Sequence, residues 1–223
     1  MDTITITADD GADVDVLVWR PEAASGRPIK GLVQFCHGMA EYAARYDEVA
    51  RVLAADGWLV VANDHRGHGP RAAAIGELGT TSDRGYHQLL DDLSAVADHF
   101  MAKLEGKPWF LVGHSMGSFL ARVLAVRRGR EMAGLVIIGT GSSLGPLSTV
   151  ATGLAQAQVL MGGEDSRSPL LNTLSFGSFN RAFLPARTDY DWLSRDAHVV
   201  DAYNDDTQCG IVCTAAFYRE LVR

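Results

Sequence analysis

The pentapeptide Gly113-His114-Ser115-Met116-Gly117 lies where an apolar run gives way to small residues. A serine placed there can act as a nucleophile in acyl transfer if the chain turns sharply from a strand into a helix and exposes its hydroxyl. The run PWFLVGH reads as a strand and MGSFLARVLAVRRG as a helix, so Ser115 falls in such a turn. Gly113 and Gly117 have a steric reason there: the strained turn brings both positions against neighbouring backbone, where a Cβ would clash. The helix start leaves the N–H of Met116 without a helical partner, free to face an oxyanion.

Two more loops carry polar groups to the same sheet edge. FCHGMAEYAARY follows the apolar run GLVQFC, and His37-Gly38 permits a turn that offers the N–H of Met39 as a second oxyanion donor. NDHRGHG, Asn63 to Gly69, follows WLVVA. Its His65 and His68, like His37 and His114, read as loop-stabilising hydrogen-bonding groups rather than catalytic ones. Cys209 and Cys213, four apart, with His198 supply ligand types for zinc, but a structural zinc site takes four ligands and no fourth is evident. The cysteines are read as buried thiols, and no metal is assigned.

These residues need a scaffold that brings strand ends together. TITIT and VDVLVWR alternate around the turn signal DDGAD, which predicts a hairpin from Thr3 to Trp19. RPEAASGRPIK follows as a surface loop. Short apolar runs, GLVQFC, WLVVAND, WFLVGH and GLVIIGT, then alternate with helix-length segments at Arg45 to Asp56, Tyr86 to Leu104 and Met116 to Arg128. Strands apolar on both faces, alternating with helices, mean a mostly parallel, doubly wound α/β sheet, here led by an antiparallel hairpin. After GTGSSLG the rhythm breaks. Pro146 to Val222 reads as helices only (LSTVATGLAQAQVLMG, SPLLNTLSFGSFNRAFL, GIVCTAAFYRELV), which divides the chain into a core over 1–143 and a helical cap over 144–223.

Composition narrows the function classes. With 47% hydrophobic and 21% charged residues, the 223 residues can bury a substantial core. A net charge of -7 argues against a nucleic-acid partner, since phosphate binding needs clustered cations. The basic stretch Arg127 to Arg130 reads as a helix C-terminus, where cations complement the dipole. No run reaches the roughly 18 apolar residues of a spanning helix. The acidic, alternating N-terminus has no signal-peptide pattern, and three cysteines without framework spacing suit a reducing compartment, so the expectation is a cytoplasmic protein without stable membrane insertion.

HGMAEYAARY, DHRGHG and GHSMG, in this order and spacing, resemble the α/β-hydrolase family of monoacylglycerol lipases and lysophospholipases. The stretch TDYDWLSRDAHVVDAYNDDTQCG is similar to part of the cap of bacterial members. The resemblance implies an α/β-hydrolase fold with a helical cap and a serine esterase acting on monoacylglycerol-like or lysophospholipid-like esters, with no metal or organic cofactor. It implies Ser115 as nucleophile and the N–H groups of Met39 and Met116 as the oxyanion hole.

The family pattern places a catalytic acid and histidine beyond the cap, on two further strand units that this sequence does not show. The triad Asp and His are therefore not identifiable in this chain. His198 falls where the family has no catalytic histidine. The run AGLVIIGT is left as an apolar edge strand, a feature proteins normally avoid. The expectation is that the C-terminal strands are missing from a larger hydrolase. The alternatives are a catalytically incomplete or non-catalytic ligand-binding protein of this fold, and a homo-oligomer or strand-swapped assembly whose partner supplies the last strands.

Overall fold

The computed structural model describes residues 1–22, 28–142 and 145–222. Part of the expected loop between Arg20 and Lys30, residues 23–27, lies outside the described residues, as does the expected core–cap boundary at 143 and 144. Strands β1 (Asp2–Thr7) and β2 (Asp13–Trp19) form the hairpin that the DDGAD turn predicts. They lead a six-stranded sheet completed by β3 (Leu32–Cys36), β4 (Leu59–Asn63), β5 (Trp109–His114) and β6 (Gly134–Ile138). The order is β1-β2-β4-β3-β5-β6; β2 meets β4 antiparallel, and β4, β3, β5 and β6 run parallel. This is the doubly wound arrangement the alternating runs call for.

Period-two geometry sorts each strand between two apolar layers. One face buries Val14, Val16, Val18, Leu32, Leu59, Val61 and Leu111 against α3 (Gly85–Met101) and α4 (Met116–Arg128), through Leu90, Leu93, Val96, Leu120 and Leu124. The other buries Val33, Phe35, Val60, Ala62 and Val112 against α1 (Asp47–Ala55), through Ala50 and Ala54. Each fully buried leucine contributes about 2 kcal/mol. A short helix, α2 (Gly69–Ala74), follows the NDHRGHG loop and was not apparent from periodicity, because six residues give less than two turns of pattern.

At the far side of the sheet the layering stops. All five residues of β3 and of β4 are buried, whereas in β6 Val136, Ile137 and Ile138 are 46%, 39% and 47% exposed. Consecutive residues point to opposite faces, so both faces of this edge strand are open among the described residues.

Residues 145–222 are helical, with no strand named among those described. The apolar stretch expected from Ser168 to Leu184 is two pieces, α6 (Pro169–Phe176) and a 3₁₀ turn at Phe179–Phe183, broken at Gly177. The last expected helix begins later than its apolar run. Thr214 is the N-cap of α8 (Ala215–Leu221), accepting from Phe217 N–H, while Cys213 and Ala215 pair with Ser168 and Ser166. A further helix, α7 (Ala197–Asp205), is capped by Asp196, whose side chain accepts the His198 N–H; Asp196 ahead of Val199, Val200 and Tyr203 was its sequence signal. Helix α5 (Pro146–Gly162) and α8 close a second apolar cluster, in which Ala155, Val159, Leu171 and Phe217 meet Met39, Ala40 and Met116. No helix among the described residues is long and apolar enough to cross a membrane.

Candidate active site

Ser115 stands at the N-terminus of α4 with φ 50° and ψ -120°, outside even the left-handed helical well that non-glycine residues occasionally adopt. A serine at a helix N-cap ordinarily accepts an N–H of the first turn. This one makes no side-chain cap bond, which leaves its hydroxyl uncommitted. The strain is held by the backbone: Ser115 N–H donates to Ile138 C=O at 2.9 Å, and Ser115 C=O accepts from Ser118 N–H at 2.9 Å and Ser118 O–H at 2.5 Å.

The flanking glycines are steric requirements of that turn. A Cβ on Gly113 would sit 2.6 Å from Gly117 O, 2.7 Å from Ala121 Cβ and 2.8 Å from Ser118 Cα. A Cβ on Gly117 would overlap the Cys36 carbonyl, so α4 starts directly against the end of β3. At Gly38 the need for glycine is again close packing: a Cβ there would lie 2.6 Å from Glu41 Oε1 and 3.1 Å from Ser115 Cβ. The left-handed residue of that loop is Ala40 at φ 60°, not Gly38, which corrects the expected reason for the glycine. The loop bearing Met39 therefore passes against the serine itself, and Met39 and Met116 share one buried cluster.

Three buried imidazoles lie behind the loop. His37 Nδ1–H donates to Gly38 C=O at 2.7 Å, and His37 Nε2 accepts His65 N–H at 2.9 Å. His65 Nε2–H donates to His37 C=O at 3.2 Å. His68 Nε2 accepts Ala40 N–H at 3.3 Å, and its Nδ1–H donates to Arg66 C=O at 3.2 Å. These partners assign one neutral tautomer to each ring. Burial holds His37 well below the ordinary imidazole value and His65 and His68 at about 3 and about 4, with neighbouring rings adding to the shift at His37 and His65. They are backbone anchors.

His114 differs. Its side chain is 36% exposed and its Nδ1–H donates to Glu41 Oε1 at 2.7 Å. His198 is exposed on α7. Among the described residues no imidazole hydrogen-bonds the Ser115 hydroxyl. Cys36, Cys209 and Cys213 are free and buried, and no group of His, Cys, Asp and Glu suited to a metal is found among the described residues. Residues that sequence reading overlooked are Glu41, Asp64, whose Oδ1 accepts Ala43 N–H at 2.7 Å, and Tyr203, whose O–H donates to Ala40 C=O at 2.8 Å. Burial pushes Asp64 up to about 6. Only Glu41, three residues past Gly38, had a local sequence signal; the other two reach the loop from elsewhere in the chain.

Comparison with known proteins places this geometry. Residues 27–223 match the family described as serine aminopeptidase, S33. Monoglyceride lipase of Homo sapiens is 33% identical over 206 residues, covering 92% of this chain and 59% of that protein. Monoacylglycerol lipase of Mycolicibacterium smegmatis is 28% identical over 191 residues, 85% of this chain and 58% of that protein. The chain thus spans under two thirds of these relatives' length. Among solved structures, a thermostable carboxyl esterase from Bacillus coagulans superposes with a TM-score of 0.87 at 24% identity, covering 99% of this chain and 71% of that one, which shows the α/β-hydrolase fold.

Proposed function

The chain belongs to the serine aminopeptidase, S33, family of α/β-hydrolases, and on that premise we propose that it works in carboxylic ester hydrolysis, with monoacylglycerol-like or lysophospholipid-like esters as substrates. Ser115 Oγ attacks the ester carbonyl to give an acyl-enzyme, and the N–H groups of Met39 and Met116 receive the oxyanion. The observation that carries this reading is the Ser115 backbone: a strained serine with no cap bond, pressed against the Met39 loop, has no structural use that an alanine or glycine would not serve better. None of the seven histidines of this sequence is assigned as its general base.

The substrate class rests on the relatives named monoglyceride lipase and on apolar surface. A small recess beside α4, about 20 Å³, is lined by Tyr86, Leu89, Met116, Phe119, Phe217 and Leu221 together with Thr81 and Glu220; it is too small to hold an acyl chain but marks this face of α4 as mostly apolar. The helical segment after Pro146, read as a cap, exposes Leu160, Met161, Leu174 and Leu184.

A second reading, a ligand-binding chain without turnover, is favoured by one observation, that no described imidazole bonds Ser115 Oγ. A fluorophosphonate probe read by intact mass separates the two. One adduct that disappears in Ser115→Ala, together with faster hydrolysis of a monoacylglycerol than of an aminoacyl amide, is the expected result. No adduct on a folded protein would leave the binding reading standing, and adduct formation with amide hydrolysis alone would replace the ester by a peptide substrate.

A further inference from the structure

Glu41 occupies the seam between the two loops that meet at Ser115. Its side chain is 11% exposed, and its Oε1 is the acceptor for three donors: Gly38 N–H at 2.7 Å, His114 Nδ1–H at 2.7 Å and Tyr46 O–H at 3.0 Å. Its Oε2 lies 3.5 Å from Arg45 Nε. Gly38 is the residue before Met39, and His114 is the residue before Ser115. One carboxylate oxygen thus ties the backbone leading into one oxyanion donor to the side chain leading into the nucleophile.

Peptide planarity makes this tie directional. In a trans peptide the C=O and N–H point opposite ways. His37 Nδ1–H holds the Gly38 C=O on the buried side, so the Met39 N–H faces away from His37. Glu41 fixes the Gly38 N–H, which belongs to the preceding His37–Gly38 peptide, so the peptides on both sides of the Gly38 Cα are held, and through His114 the same carboxylate holds them at a set distance from the elbow. The lack of room for a Cβ on Gly38, 3.1 Å from Ser115 Cβ and 3.2 Å from His114 Nδ1, leaves no slack in that distance. Burial works to raise the Glu41 pKa, but its contacts with His114, Gly38 and Tyr46 more than cancel this and keep the carboxyl ionised.

We propose that Glu41 is a positioning residue that sets the separation between the Met39 oxyanion donor and Ser115 by bridging Gly38 N–H and His114 Nδ1–H. The proposal rests on the assignment of Ser115 and Met39 made above. Glu41 touches neither the reacting carbonyl nor the nucleophile, and it acts through the loop it holds.

The test uses the polypeptide in its native extent, comparing wild type with Glu41→Ala and Glu41→Gln, with folding checked by thermal unfolding. Losing or misplacing one oxyanion donor costs roughly 10²-fold in turnover. Glu41→Ala is expected to lower kcat by about that factor with KM within about twofold, and to shift or remove the His114 Nδ1–H resonance in the NMR spectrum. Glu41→Gln retains a neutral acceptor and is expected to recover all but about tenfold. Unchanged kcat in folded Glu41→Ala overturns the proposal. So does a rise in KM at constant kcat, which would mean that Glu41 holds substrate instead. If Glu41→Ala does not fold, Glu41→Gln decides: a kcat and a His114 proton identical to wild type overturn it. If wild type neither labels with the probe nor turns over ester, the functional reading has failed on its own. The tether is then judged by whether Glu41→Ala speeds hydrogen exchange at Gly38 and shifts the His114 proton, and persistence of both signals overturns it.

Discussion

The Ser115 elbow and the Met39 loop lie against each other, yet they are held differently. The elbow is held mostly by itself and the adjacent strand ends: Ser115 C=O is satisfied by Ser118 three residues on, Gly113 packs against the start of α4, Gly117 against the end of β3 at Cys36, and Ser115 N–H donates to Ile138 C=O at the end of β6. The Met39 loop is held from afar. Its Ala40 N–H goes to His68, 28 residues away, and its Ala40 C=O takes Tyr203 O–H, 163 residues away, with Gly210 N–H at 3.0 Å. The difference teaches that the strained serine depends on its own turn and on the ends of the strands beside it. The neighbouring loop depends instead on residues of the helical segment after Pro146 and on the NDHRGHG loop staying in place.

The strongest way to break this comparison is at the one point where the elbow meets the end of β3. Gly117→Ala puts a methyl into the Cys36 carbonyl, and backbone cannot retreat as a side-chain tip can. Overpacking of this kind costs about 3 kcal/mol or more, and urea unfolding should show at least that loss. Gly153→Ala in α5, where an added Cβ meets nothing within 4 Å, should instead stabilise by about 0.5–1 kcal/mol. Equal effects at both glycines would show that the elbow is no more tightly packed than a helix surface.

The anchoring of the Met39 loop by neutral imidazoles gives a second, smaller effect with a definite sign. His37, His65 and His68 are all depressed by burial from an ordinary value of 6.5, two of them to about 3 and about 4. On acidification the unfolded chain takes up these protons first. Their contribution is therefore complete above about pH 6.5 and is lost as pH falls toward 4 and then 3. Each ring removes about 1.4 kcal/mol per pH unit once the unfolded ring is charged and the folded one is not. Asp64, raised by burial to about 6, and Asp92, also raised by burial, oppose this above about pH 4, but they are two carboxyls against three rings. Unfolding free energy measured from pH 7.5 to 4.5 should fall. A flat profile would mean that the rings take up protons in the folded state and do not anchor the loop as neutral groups.

The same contrast explains what could be read in advance. Strand order, the long helices of the sheet layers, the hairpin and the position of Ser115 follow from short periodicities and from one pentapeptide, because each is a relation between residues close in sequence; the short helices α2 and α7 do not. The open edge at β6 was legible too, since GLVIIGT is apolar throughout and has no later run to pair with. The partners of the Met39 loop were not, because Tyr203, Asp64 and Gly210 carry no local mark of what they touch. The reason for Gly38 was misread on the same account. A turn glycine and a packing glycine look alike in sequence, and only the approach of Ser115 and Glu41 separates them. In the helical segment after Gly145, apolar runs outlasted the helices, because N-caps and Gly177 cut them where periodicity alone gave no boundary.

The finest test of the comparison is a single hydroxyl. Tyr203→Phe keeps the ring, its edge contact with Tyr190 and the Arg45 guanidinium 4.7 Å from its centre, and removes only the donor to Ala40 C=O. That carbonyl still accepts Gly210 N–H, so no buried acceptor is orphaned and the cost should be about 1 kcal/mol. The loss should appear locally. Amide exchange in the loop, at Met39 and Ala40, should quicken roughly five- to tenfold, while the amides of Met116 and Ser118 keep their wild-type rates. If the two sets accelerate together, the elbow and the loop open as one unit, and long-range anchoring reaches the serine as well. If neither changes, Gly210 N–H alone is enough to hold the Ala40 carbonyl and keep Ala40 at φ 60°, and the Tyr203 hydroxyl has no part in anchoring the loop.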